Sequence, residues 1–188
     1  MKERRIVGST VYLRPIGRED TDRIVAWRNS EHVRPYFIYQ ELFTPEGHEQ
    51  WLRDMIDSGR GWQFIICLIE NDMPLGSTYL RDYSPLHRKA EYGVFIGEAD
   101  WKGRGIGTEA LALTLRFAFG EAGLHKVFAR AFSDNPASVK SFLKGGFVQE
   151  ACLKDDVFVG GRFRDIVLLG KINPEEEYFD AREEVTKE

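Results

Sequence analysis

The stretch Trp101-Lys102-Gly103-Arg104-Gly105-Ile106-Gly107-Thr108-Glu109-Ala110 constrains this chain more than any other. It joins a strand-like run at 92–97 to a helix-like run at 108–119. Glycines at alternate positions let main-chain N–H groups converge with no side chain between them. The helix that follows adds its unpaired N-terminal N–H groups and the positive end of its dipole. Lys102 and Arg104 contribute positive charge, so the stretch reads as a site for phosphate. It is not a Walker A loop, because no Gly-Lys-Ser/Thr follows the turn to hold magnesium. It is not the G-x-G-x-x-G dinucleotide fingerprint either; only the weaker variant Gly105-x-Gly107-x-x-Ala110 can be drawn. A glycine turn that merely starts a helix is the plain alternative.

Around that loop the patterning predicts an ordered set of elements. Residues 11–15 read as a strand stopped by Pro15, and 18–29 as a helix with Asp20 and Asp22 in its first turn. The segment 32–44 is aromatic and irregular, carrying Tyr36, Phe37, Tyr39 and Phe43. Thr44-Pro45 opens a second helix with Thr44 as cap and an apolar stripe of Trp51, Leu52, Met55 and Ile56. Strands are predicted at 62–69, 74–80 and 89–97, the first two turning at Asn71-Asp72. After the glycine loop comes a helix that is apolar on more than one side, hence buried on a sheet. A strand at 127–132 follows, then a short helix at 136–144 capped by Asn135 and ended by Gly145-Gly146, then a hairpin of 147–153 and 163–169. The expected architecture is α/β, a mixed sheet of about seven strands with helices on both faces.

Composition matters mainly for what it excludes. The formal charge of −4 is concentrated in residues 174–188, which carry seven acidic and two basic side chains, leaving residues 1–173 at +1. A nearly neutral body offers no electrostatic case for nucleic acid or membrane. No apolar run approaches about 18 residues, and Lys2, Arg4 and Arg5 precede no signal-peptide core, so a soluble cytoplasmic protein is expected. Cys67 and Cys152 are expected as buried reduced thiols, and no metal site is expected. Residues 1–173 are read as one domain. The acidic tail 174–188 is expected to be loose, with a helical turn anchored by Tyr178 and Phe179.

Several motifs now fall in one order. Lys102-x-x-Gly105-x-Gly107 resembles the acetyl-CoA pyrophosphate loop of the GCN5-related N-acetyltransferase (GNAT) superfamily, with Lys where Gln or Arg is usual. Ala90-Glu91-Tyr92-Gly93 resembles a strand of its RimJ/RimL-like branch. Asn135-x-x-Ser138 with Lys144-Gly145-Gly146-Phe147, and Leu13-Arg14-Pro15, Trp27-Arg28-Asn29 and Val33-Arg34, are similar to the same branch. The resemblance spans residues 9–172. It implies a GNAT-type, mostly antiparallel sheet, acetyl-CoA as acyl donor, a primary amine on a small molecule or peptide as acceptor, and a homodimer. An amino-sugar acceptor is favoured over a protein N-terminus or a polyamine. A non-catalytic acetyl-CoA sensor is the rival class, and a dehydrogenase the third.

The resemblance also implies site roles. The strand before the loop splays from its neighbour, and its edge at Phe95 and Ile96 pairs with the pantetheine arm. The diphosphate takes N–H groups from Lys102, Gly103, Arg104, Gly105, Ile106, Gly107 and Thr108, and Asn135 reaches the arm. An amine with pKa about 10.4 is neutral only about once in 10³ molecules at pH 7, so a base is wanted. Glu91 is the first candidate and His48 the second, each with a structural alternative as an ion-paired glutamate and a packed histidine. The frequent Tyr that protonates the leaving thiolate is replaced here by Phe142, which cannot donate, so Ser138 is the candidate donor. Trp27, Arg28, Arg34 and Trp51 are candidate walls of the acceptor site, with the two arginines able to clamp an anion.

Overall fold

The computed structural model describes residues 5–175. The expected turn at Tyr178 and Phe179 lies outside them. The described elements run β1 (Ile6–Val7), β2 (Val11–Pro15), α1 (Thr21–Asn29), α2 (Pro45–Trp51), β3 (Trp62–Leu68), β4 (Pro74–Ser84), β5 (Lys89–Ile96), α3 (Ile106–Gly120), β6 (Lys126–Phe132), α4 (Pro136–Lys144), β7 (Val148–Val159) and β8 (Arg162–Ile172). The strands form one sheet in the order β1-β2-β3-β4-β5-β6-β8-β7, antiparallel throughout except for β5 against β6. The expected mixed, mostly antiparallel sheet is therefore present. Its eighth strand is the two-residue β1, too short to leave a pattern in the sequence.

Strand β3 is buried from Gln63 to Leu68 and carries apolar side chains on both faces, so both faces need cover. On one face Phe64, Ile66 and Leu68 pack with Leu75 and with Ile106, Ala110 and Leu113 of α3. On the other, Ile65 and Cys67 pack with Tyr12, Phe95 and with Ile24 and Trp27 of α1. The glycine-loop helix thus lies on one side of the sheet and the N-terminal helices on the other. Glu109, in the first turn of α3, accepts hydrogen bonds from the amides of Ser9 (2.6 Å) and Thr10 (2.8 Å), which ties that helix to the β1–β2 turn.

Two N-terminal features go beyond the expectations. Asp20 lies in a helical turn as expected, a 3-10 turn that leads into α1, but its carboxylate is fully buried and accepts from both terminal nitrogens of Arg14 (2.8 and 2.7 Å), from Arg23 and from the Gly17 amide. Helix α2 starts as expected, with Thr44 Oγ1 accepting from the Gly47 amide, but from Leu52 to Asp57 it continues with the wider winding of a π-helix. The C-terminal strands outrun their apolar patterns. In β7 the charged run Lys154-Asp155-Asp156 is absorbed as a bulge, with Asp155 at φ 49° and its amide donating to Asp165 Oδ1. Both cysteines are free. Cys67 is buried as expected, whereas Cys152 is exposed on β7. Among the described residues no helix is long and apolar enough to cross a membrane, and no three His, Cys, Asp or Glu side chains cluster as metal ligands.

Candidate active site

The site begins with a break in the sheet. Strands β5 and β6 pair only at Lys89↔Lys126, Ala90↔Val127 and Glu91↔Phe128, although β5 continues to Ile96 and β6 to Phe132. Beyond Glu91 the β6-facing edge of β5 has no strand partner. The Gly97 amide donates to Leu75 O and the Gly93 carbonyl accepts from Thr78 Oγ1, both on the β4 side. By alternation along a strand, the main-chain groups of Val94 and Ile96 face the gap.

A cavity of about 580 Å³ occupies that gap, lined by Glu91 to Ile96, by the glycine loop, by β6 and by α4. Gly103 (φ 74°) and Gly105 (φ 82°) sit in the left-handed region, the backbone alternation that lets successive N–H groups converge on an anion. A Cβ built at Gly103, Gly105 or Gly107 would meet no atom within 4 Å, so the space before the loop is open. Among the described residues five cations line this cavity, Arg81, Lys102, Arg130, Lys140 and Lys144, against a single carboxylate, Glu91. An open cradle of glycine amides in a positive cavity beside a bare strand edge fits a long, polyanionic donor such as a coenzyme A thioester.

The loop is tied to its surroundings. Lys102 Nζ donates to the His32 carbonyl and lies 5.4 Å from the Tyr36 ring centre; burial pushes its ammonium below the usual lysine value. His32 Nε2 in turn meets the Gly97 carbonyl at 2.8 Å. Arg104 is turned away onto Trp101, 5.0 Å from the ring centre, and Ile106 is buried in the core, so these two offer the loop their amides rather than their side chains. Asn135 caps α4, its Oδ1 accepting from the Ser138 amide at 3.3 Å, and both residues line the cavity. Phe142 lines it as well, buried edge-on against Tyr92 with ring centres 5.9 Å apart.

A second cavity of about 350 Å³ lies beside the first, between α1, α2 and the sheet. Five residues, Phe37, Tyr39, Tyr79, Arg81 and Phe95, line both, so the two compartments meet at the aromatic segment and the middle of β4. Arg28 lies over the Phe37 ring, 3.3 Å from its centre, and 5.3 Å from that of Phe43. Desolvation lowers its pKa to about 10. His48 is fully buried, with Nδ1 2.9 Å from Thr21 Oγ1, and burial lowers its pKa below the usual histidine value. The packed-histidine alternative describes this environment, although the ring also borders the second cavity.

The expected base, Glu91, lies where the strand pattern puts it, but its lone pairs are occupied. Oε1 accepts from Arg130 Nε (3.1 Å), and Oε2 accepts from Arg81 Nε (3.2 Å), Arg81 Nη2 (3.0 Å) and Arg130 Nη2 (3.0 Å). Buried at 5% exposure between two guanidiniums, it has the environment of the ion-paired alternative. Phe95 borders both cavities with a ring packed on Trp27 and Phe37, and alternation turns its main chain toward β4, unlike that of Ile96. Trp27 is buried, donates from Nε1 to Glu98 Oε1 and packs on Gly97; neither it nor Arg34 borders either cavity. Trp51 does border the second, its Nε1 donating to Gln63 Oε1 at 2.7 Å. Tyr79, Arg81 and Arg130 were not anticipated. A partial signal was present: Arg130 lies inside a predicted strand and Arg81 directly after another, but only the structure sets Arg81 opposite Glu91 in the β4–β5 register.

These features define an acyl-transfer class of site, and comparison with known proteins agrees. Residues 10–148 match the model of the acetyltransferase (GNAT) domain, and the chain belongs to that family, whose acyl donor is acetyl-CoA. Spermidine N(1)-acetyltransferase of Vibrio cholerae is 23% identical over 160 residues, covering 85% of this chain and 91% of its own. The V. cholerae spermidine N-acetyltransferase in complex with CoA and spermine superposes with a TM-score of 0.82 at 22% identity, over 88% of this chain and 97% of that one. The ribosomal-protein-S5-alanine acetyltransferase of Vibrio fischeri gives 0.81 at 22% identity, over 94% and 100%. At this identity the two structures establish the fold alone.

Proposed function

We propose that the chain transfers the acetyl group of acetyl-CoA to a primary amine by direct attack on the thioester, with the amine entering from the second cavity. The observation that carries this reading is the shared wall of the two cavities: a donor held along β5 ends where an acceptor held by α1 and α2 begins. The amides of residues 103–108 take the diphosphate; the Lys102 amide, expected among them, instead donates to the Ala99 carbonyl at 3.1 Å, and its side chain adds charge. The gap-facing groups of Val94 and Ile96 pair with the pantetheine arm and supply the N–H that stabilises the developing oxyanion. Asn135 orients the arm from the end of α4.

Deprotonation follows from the charge at the junction. Arg28, Arg81 and Arg130 against one Glu91 make a positive environment that disfavours an ammonium and favours the neutral amine. A dedicated carboxylate base is then not required, and Glu91 serves to hold the two guanidiniums in place. The thiolate, with a thiol pKa of about 8.5, is a tolerable leaving group without the missing tyrosine, and Ser138 is the hydroxyl beside it.

A small acceptor suits a cavity of about 350 Å³, and an amino sugar or an amino-acid-sized amine is favoured. A polyamine or a ribosomal-protein N-terminus is the alternative that the relatives' names suggest. The replacement of the frequent tyrosine by Phe142 favours one reading of another class, an acetyl-CoA sensor. Incubation with acetyl-CoA and a panel of primary amines, with free thiol followed, separates them. Thiol release that depends on an amine is expected; acetyl-CoA binding by calorimetry with no release from any amine would favour the sensor. A homodimer is proposed on resemblance, with light scattering as its check.

A further inference from the structure

We infer that the acceptor amine carries an oxyanion group, a carboxylate or a phosphate, that docks on Arg28 and Arg81 in the second cavity. This rests on the acyl-transfer reading and names the class of its acceptor. Most polar groups bordering that cavity are already matched. Gln63 accepts from Trp51 and donates to Ser77, and Thr44 caps α2. Two are not. Arg28 Nε is buried with no hydrogen-bond partner, and no carboxylate among the described residues pairs with this side chain, which lies against ring faces instead. His48 is 0% exposed, and its Nε2 has no partner either.

A half-buried guanidinium whose Nε is shut off from solvent without an acceptor is costly, and aromatic faces offset only part of that cost. Arg81 brings a second guanidinium to the same wall; it shares Glu91 with Arg130 and lies 3.6 Å from the exposed carboxylate of Asp82. Among the described residues Glu41 is the carboxylate that borders this cavity, and it is exposed. At its Arg28 end the compartment thus has no paired carboxylate among the described residues. An anion on the acceptor supplies that charge and accepts from the guanidinium fork, while the rings of Phe37, Tyr39, Phe43 and Trp51 take its apolar body. The same balance works against a polycationic acceptor, which would bring further positive charge to Arg28 and Arg81.

The test uses the full chain, two matched pairs of acceptors and spermidine. Phenylalanine is compared with phenylalaninamide, glucosamine 6-phosphate with glucosamine, and kcat/KM is read from thiol release. In parallel, calorimetry on the acetyl-CoA-saturated protein compares 3-phenylpropanoate and inorganic phosphate with 3-phenylpropanamide. In at least one pair the anionic member is expected to exceed its neutral partner by about tenfold or more, and the matching anion to bind more tightly than the amide. Which pair responds tells carboxylate from phosphate. Arg28→Gln should abolish the preference, and Arg28→Lys, which keeps the charge but not the fork, should restore part of it. An unchanged acetyl-CoA isotherm shows that each variant is folded. The inference is overturned if neutral amines or spermidine react as fast as the anionic members. It is also overturned if no anion binds at millimolar concentration, or if folded Arg28→Gln keeps the preference. Loss of acetyl-CoA binding by the wild type would overturn the acyl-transfer reading as well; normal acetyl-CoA binding with no anion preference overturns this inference alone.

Discussion

Gly105 and Gly107 are both glycines of one loop, yet they are glycines for different reasons. Gly105 holds φ 82°, so an alanine there is strained whatever the space, by roughly 1 kcal/mol. Gly107 has an ordinary φ, and a methyl added to it would meet no atom within 4 Å, so alanine costs the fold little. Gly107→Ala is therefore expected to leave the melting temperature nearly unchanged while weakening acetyl-CoA binding by about tenfold or more, because the methyl enters the space of the diphosphate. Gly105→Ala should lower both, and calorimetry with thermal melts checks the contrast. Glu91 allows an equally direct separation. As the anchor of Arg81 and Arg130, its change to Gln leaves Arg130 without a carboxylate and Arg81 with only the exposed Asp82, and should cost roughly 3 kcal/mol of stability. As a base, its loss would remove the acidic limb of the kcat/KM profile. We expect the stability loss, with that limb retained. The glycine pattern and the position of Glu91 were legible in the sequence; the occupation of its carboxylate was not, because Arg130 reaches it across a parallel pairing of strands 39 residues apart in the chain.

Helix α1 is held to the sheet by Asp20 more than by its own propensity. The carboxylate carries a bidentate bond from Arg14 on β2, a bond from Arg23 and a main-chain amide, and is fully buried. Burial alone would raise its pKa, but the Arg14 hydrogen bonds and the Gly17 amide outweigh it and hold the value below the usual carboxylate range. A group with a depressed folded pKa stabilises the fold above its unfolded value, near 3.9, and loses that contribution as pH falls through the folded value. Asp20→Asn is expected to lower stability by roughly 3 kcal/mol at neutral pH, by stranding Arg14, and to flatten the acid limb of stability against pH below about 4. Denaturant unfolding across pH checks both. The sequence placed this aspartate in a helix turn by the dipole rule. The partner that overrides that rule lies on the preceding strand, and the tight chain reversal at Gly17 brings the two together.

Across the whole molecule, the donor loop and the aromatic segment are physically joined. Lys102 bonds the His32 carbonyl, His32 bonds the end of β5, and the segment that follows, through Phe37, Tyr39 and Phe43, walls the second cavity. On the proposed reading, Lys102 thus touches both the donor loop and the acceptor wall. Lys102→Met should weaken acetyl-CoA by about tenfold, the worth of one charge-assisted bond, and also raise the acceptor KM, whereas Gly107→Ala should affect the donor alone. Steady-state kinetics with both substrates varied distinguishes the two variants.

From the sequence by itself came the alternation and capping that set most elements, the glycine loop, and the order of strands and helices that makes a mixed sheet. Those properties depend on residues a few positions apart, where backbone sterics and hydrogen bonding act. Tertiary structure decided what depends on distant partners. It set the place where β5 and β6 part, the commitment of Glu91 to two arginines, and the retreat of Trp27 and Arg34 from the site. It also left Arg28 without a counter-charge. Electrostatic pairing and burial are properties of three-dimensional neighbours, and no local pattern encodes which neighbour a side chain will meet.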